Sequence, residues 1–307
     1  MVVGCDGVNA RREELMCDER TLRDAEDYLR RSGRLTRREF GALSVGTGLA
    51  MLLPRAAAAL EVSGADVEVP TPDGTADCHF VHPASGAHPG VLIWPDALGL
   101  RPAFEQMGRR LAESGYAVLV VNPYYRTEKA PVLPEGASFR DEATRKKVFP
   151  LMRSLTPETN VTDAMAFVGF LDAQDAVAGA RRMGTMGYCM GGAMTMRTAA
   201  AFPDRIGAGA SFHGGRLVTD SPDSPHRLVD RIRAHYLFAI AENDDQKDPK
   251  AKTVLRDAFA AAGLPAEIEV YADTLHGWCP PDSAVYHEAQ AERAWSRLLA
   301  LFEAALA

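Results

Sequence analysis

Between residues 90 and 271 the chain returns six times to a short apolar run: GVLIWP (90–95), YAVLVVNP (116–123), RMGTMGY (182–188), IGAGASF (206–212), HYLFAIA (235–241) and AEIEVY (266–271). Runs such as Val118 to Val121 are apolar at every position rather than at every second one, which suits strands covered on both faces, as in a parallel sheet. Between the runs, apolar residues fall at helical spacing: Phe104, Met107 and Leu111, and near the C-terminus Trp295, Leu298, Leu299 and Phe302. The alternation predicts an α/β fold, a mostly parallel central sheet with helices on both faces. Upstream, ADVEVPTPDG and ADCHFVHP meet at Thr71-Pro72-Asp73-Gly74, a turn signal that predicts an N-terminal antiparallel β-hairpin. Residues 126–160, rich in Pro, Lys and Glu, predict a loop with short helices over one end of the sheet.

Ahead of this pattern, LTRREFGALSVGTGLAMLLPRAAAALE (35–61) has paired arginines, Arg37 and Arg38, then a mildly apolar run from Gly41 to Leu53 and small residues up to Ala59. The arrangement resembles a twin-arginine export signal with a cleavage site near Ala57 to Ala59. The apolar run is too short to span a bilayer, which needs roughly 20 residues. The expected organisation is a long charged leader and export signal over residues 1–59, with Met16 as an alternative start, and one domain over residues 60–307. Exported through the twin-arginine machinery, the mature protein is expected in the periplasm or outside the cell. Residues 1–59 hold 10 of the chain's 34 basic and 9 of its 41 acidic side chains, which leaves residues 60–307 with a net charge of −8. An acidic domain with no basic run repels phosphate backbones and anionic lipid, so neither nucleic acid nor a membrane surface is an expected partner.

Five cysteines are too few for a disulfide scaffold, and no C-x-x-C pair or H-E-x-x-H run offers metal-ligand spacing, so no metal is expected. Cys78 and Cys279, which export would bring into an oxidising compartment, could form a disulfide but are read as separate thiols. Cys189 differs in its setting. Gly187-Tyr188-Cys189-Met190-Gly191 stands at the end of a strand run and opens the helical stretch GGAMTMRTAAAF. Glycines two before and two after a central residue are what a nucleophile elbow needs, since strand and helix then pack closely around a strained turn. A thiol at a helix N-terminus meets unpaired N–H groups and the positive end of the helix dipole, which favour the reactive thiolate.

Hydrolases of this architecture carry their partners in the order nucleophile, acid, histidine, each after a later strand. Glu242-Asn243-Asp244-Asp245 follows HYLFAIA, and Ala272-Asp273-Thr274-Leu275-His276 follows AEIEVY. His276 is therefore the expected proton relay and Asp244 its orienting acid, with Asp245 the alternative. The backbone N–H groups of Met190 and of Ala97, in IWPDALGL, are the expected oxyanion donors. His213, which ends a central strand run, is a candidate pocket residue. His79, His82, His88, His226 and His287 are read as surface or structural residues.

At these residues the chain resembles the dienelactone hydrolase (carboxymethylenebutenolidase) family over about residues 66 to 303, through VLIWPDALGL, VVNPYYR, MGYCMGGAM, LFAIAENDD and DTLHGW. The resemblance implies an α/β-hydrolase fold and a Cys, Asp, His triad at Cys189, Asp244 and His276, with no cofactor. It implies opening of dienelactones to maleylacetate or hydrolysis of another small ester or lactone. A family glutamate that pairs with the resting cysteine falls on Asp96, one methylene shorter. Of two family arginines that hold a substrate carboxylate, Arg126 matches one, and Pro280 stands where the second is expected. Arg126 reads equally as a solvated loop residue. The expectation is thus a monomeric cysteine hydrolase of a small ester or lactone. The alternatives are acyl transfer by the same thiol and a non-catalytic periplasmic binding protein.

Overall fold

The computed structural model describes residues 59–306 together with Arg23, Asp24 and Asp27; most of the expected export signal and its cleavage site therefore lie outside the described residues. Eight strands form one sheet in the order β1-β2-β4-β3-β5-β6-β7-β8. β1 (Val62–Thr71) and β2 (Gly74–Pro83) make the antiparallel hairpin, and β2 pairs antiparallel with β4 (Ala117–Val121). From there β4, β3 (Gly90–Trp94), β5 (Met183–Tyr188), β6 (Ile206–Phe212), β7 (His235–Ala241) and β8 (Ala266–Tyr271) run parallel, as the apolar runs predict. The hairpin closes where the turn signal stands: Thr71 Oγ1 accepts from the Asp73 N–H at 3.1 Å, donates to the Gly74 carbonyl at 3.0 Å, and Gly74 takes φ 138°.

Alternate residues of the central strands feed two cores. Leu92 and Trp94 of β3 and Leu119 and Val121 of β4 pack on one face, while Val91, Ile93, Val118 and Val120 pack on the other. Helix α1 (Pro102–Glu113) covers the second face with Phe104, Met107 and Leu111. The C-terminal helix covers the same face with Trp295, Leu298 and Phe302. The first face is covered by the helices between β4 and β5 and by the helix after β5.

Residues 126–160 are a loop as far as Asp141 and then helical, as expected: α2 (Glu142–Arg153), then the start of α3 (Pro157–Asp172). Thr156 and Thr159 cap one another across the first turn of α3, and Pro157 opens the helix, where its missing N–H costs nothing. Cys78 and Cys279 are separate, buried free thiols, Cys78 in the core on one face of the sheet and Cys279 in the core on the other. Burial pushes the thiol pKa of both well above its usual value.

Candidate active site

In a parallel sheet the segments that follow the strands all leave from one edge, and this edge of β5, β7 and β8 gathers the chemistry. Cys189 directly follows β5 and stands as N-cap of α4 (Met190–Ala201), 3 % exposed. Its φ of 55° and ψ of −116° are strained for a residue with a Cβ, and the backbone around it is pinned. The Cys189 N–H donates to the Phe212 carbonyl at 3.1 Å, and its own carbonyl accepts from Gly192 and Gly215 at 3.1 and 3.3 Å. The flanking glycines are required by close approach: a Cβ on Gly187 would lie 2.2 Å from the Gly191 carbonyl oxygen, and one on Gly191 2.4 Å from that of Trp94. Met190 is the first residue of α4, so its N–H has no acceptor within the helix.

After β7 the structure has not an open loop but a short helix, α5 (Glu242–Lys247), with Asp244 in its first turn. Nδ1 of His276 donates to Asp244 Oδ2 at 2.7 Å. Asp245, the alternative acid, instead pairs with Lys252 at 2.6 Å. The turn that carries His276 is laced to α5 by three further bonds. Asn243 Oδ1 accepts from the His276 N–H at 2.8 Å, Glu242 Oε2 from the Asp273 N–H at 2.7 Å, and Thr274 Oγ1 from the Glu242 N–H at 3.2 Å. His276 is 8 % exposed, and its second ring nitrogen, Nε2, is buried without a hydrogen-bonding oxygen or nitrogen. Burial opposes a charged ring here, but the Asp244 carboxylate and the Cys189 thiol group beside it outweigh burial and hold the imidazolium well above the usual histidine range.

Ala97, fully buried in the loop after β3, accepts at its carbonyl from Tyr124 Oη at 2.9 Å; the same hydroxyl lies 3.4 Å from Met190 Sδ. One phenol thus ties together the two segments expected to supply the oxyanion donors. Asp96 does not pair with the cysteine. Its carboxylate accepts from Arg101 at 2.7 and 2.9 Å and from the Leu98 N–H at 2.9 Å, a turn that shapes the Ala97 loop. Arg101 also binds Asp282 at 2.6 and 3.0 Å, joining this loop to the segment after His276.

His213 follows β6 with φ 40°, and its N–H donates to the Ala239 carbonyl at 2.8 Å. The ring packs edge-on to that of His276, centroids 5.1 Å apart, and both its nitrogens are buried without a partner. Burial, reinforced by His276, pushes its pKa well below the ordinary value, so the ring is neutral. Arg126 lies elsewhere: its guanidinium is spent on Asp163, at 2.6 and 2.8 Å, and on Asp73, at 2.6 and 3.0 Å. Among the described residues, no group of three or more His, Cys, Asp or Glu side chains could hold a metal ion.

The model of the dienelactone hydrolase family matches residues 77–306. The chain belongs to the dienelactone hydrolase family. Membership makes it a hydrolase of esters or lactones. A Methylorubrum extorquens protein provisionally named a carboxymethylenebutenolidase is 28% identical over 86% of this chain and 91% of its own. The carboxymethylenebutenolidase of Rhodococcus opacus is 25% identical over 75% of this chain and 87% of its own. The crystal structure of a Klebsiella pneumoniae protein, provisionally named a dienelactone hydrolase, superposes with a TM-score of 0.68, covering 79% of this chain and 99% of that one at 22% identity, a likeness of fold.

Several residues that support the site of this dienelactone hydrolase family member escape sequence reading. Asn243, Tyr124 and Asp282 act through partners distant in sequence, and Arg101 through Asp282 as well as the nearby Asp96; no local pattern announces Tyr124, Arg101 or Asp282. Asn243 alone carries a signal, being a small amide between two acids in the segment singled out for Asp244.

Proposed function

We propose that the protein hydrolyses small esters or lactones through Cys189 as nucleophile, His276 as proton relay and Asp244 as the acid that orients and charges His276. The observation that carries this reading is the strained Cys189 elbow beside a His276 ring that is bonded to Asp244 and charged by both neighbours. The Cys189 thiolate attacks the carbonyl carbon, and the C=O electron pair moves to oxygen, where the N–H groups of Met190 and Ala97 receive it. The pair then returns and the alkoxide leaves, taking its proton from the His276 imidazolium. Water gives a proton to His276 as it adds to the thioester; collapse of this second intermediate expels the thiolate, releases the carboxylic acid and restores the thiolate–imidazolium pair.

The test is hydrolysis of p-nitrophenyl acetate and of cis- and trans-dienelactone by wild type and Cys189→Ala. A loss of about a thousandfold or more in the variant is expected. Activity retained in Cys189→Ala removes the nucleophile. Export through the twin-arginine route is part of the same proposal, supported by Arg37, Arg38 and the short apolar run that follows. Residues 1–59 fused to a reporter are expected to deliver it to the periplasm, and lysines at both arginines to block delivery.

A further inference from the structure

We propose that the substrates are esters or lactones that bear no carboxylate, an inference that rests on the hydrolase reading above and narrows its substrate class. Arg101, in the loop after β3, and Arg126, in the loop after β4, are each shared between two carboxyl groups. Arg101 is enclosed by Asp96 and Asp282, its side chain 12 % exposed, and also donates to the Gly99 carbonyl at 3.2 Å. Arg126 is enclosed by Asp73 and Asp163. Asp73 belongs to the β1–β2 turn, and β2 is three strand positions from β5, so this ion cluster is held roughly 14 Å across the sheet from Cys189. Arg216, exposed on the loop after β6, lies in the field of Asp223 and of a second arginine, Arg197.

The acids of the histidine edge are matched as well: Asp244 faces the charged His276, Asp245 pairs with Lys252, and Glu242 accepts from the Asp273 N–H. Cys189 and Met190 belong to one hydrophobic cluster with Tyr124 and Leu217, and half-buried Leu98 and Leu133 pack on that cluster from the loops after β3 and β4. A carboxylate brought here loses its water to aliphatic side chains and finds Arg101 and Arg126 already paired with carboxylates. An uncharged acyl chain of the same length gains contact with that wall.

Three p-nitrophenyl esters of nearly equal chain length separate charge from shape: the butyrate, the hemisuccinate, and the hemisuccinate with its free carboxylate methylated. The full-length enzyme and Cys189→Ala are assayed at pH 7.5 and low ionic strength. The expected result is a kcat/KM for the butyrate at least tenfold above that for the hemisuccinate, with the methylated diester restored to within about threefold of the butyrate. A hemisuccinate turned over as fast as the butyrate overturns the proposal. So does a diester as slow as the hemisuccinate, since bulk and not charge then sets the limit. Absence of Cys189-dependent turnover on all three esters is a different failure, and it removes the hydrolase mechanism on which this inference stands.

Discussion

His276 keeps its proton because Asp244 and Cys189 beside it outweigh the burial that works against it. The folded pKa therefore lies above the unfolded value of about 6.5, and the stability this gives is full below about pH 6.5 and fades as pH rises through the raised folded value. In the proposed mechanism turnover follows the same proton, since a charged ring pairs with the thiolate and then protonates the leaving group. The alkaline limb of kcat/KM is expected well above pH 6.5. In Asp244→Asn it moves to lower pH and kcat falls about a hundredfold or more, whereas Asp245→Asn stays within a few-fold of wild type. Two pH–rate profiles decide this, and an alkaline limb unmoved in Asp244→Asn would remove the acid from the account. His213 works in the opposite sense: its lowered pKa makes the fold lose stability as pH falls below about 6.5.

At the scale of elements, the site depends on how closely β5 and α4 approach. Gly187→Ala places its Cβ against the backbone of Gly191, which no side-chain adjustment relieves, and is expected to cost about 3 kcal/mol or more. Gly169, exposed on α3 with nothing near its missing Cβ, is expected to gain about 0.5–1 kcal/mol as alanine. Urea unfolding of both variants tests the pair; a Gly187→Ala as stable as wild type would mean that strand and helix can part. Asn243 joins α5 to the histidine turn by its bond to the His276 N–H, and Asn243→Ala is expected to lower kcat about tenfold while leaving KM near wild type. Steady-state kinetics check this, and a change confined to KM contradicts it. The elbow was legible because its glycines are a local steric demand of one turn. The helix over 242–247 was not: six residues with four charged side chains carry no apolar period, and its bonds to the histidine turn are what hold it.

At the scale of the whole molecule, the sheet divides two cores, and that division decides the fate of the remaining described cysteines. Cys78 and Cys279 lie on opposite faces, each buried, so no disulfide can join them without unfolding the sheet. Alkylation is expected to spare both in the native protein and to reach both in denaturant, with no mass difference on reduction. Rapid native labelling of Cys279 would contradict its burial. The acidic balance of residues 60–307 acts at this scale too, through a field that discourages anionic substrates.

Strand runs, the hairpin turn, the elbow and the order Cys189, Asp244, His276 were determined by the sequence, because each is a matter of local period, local sterics or the edge to which a parallel strand delivers its loop. Tertiary structure alone decided which of Asp244 and Asp245 meets His276, because adjacent helical positions point about 100° apart and packing on the histidine turn selects one. It decided the state of Asp96 and Arg126 in the same way. A charged side chain read in sequence has no partner, and only the folded chain brings Arg101 to Asp96 and Asp73 and Asp163 to Arg126.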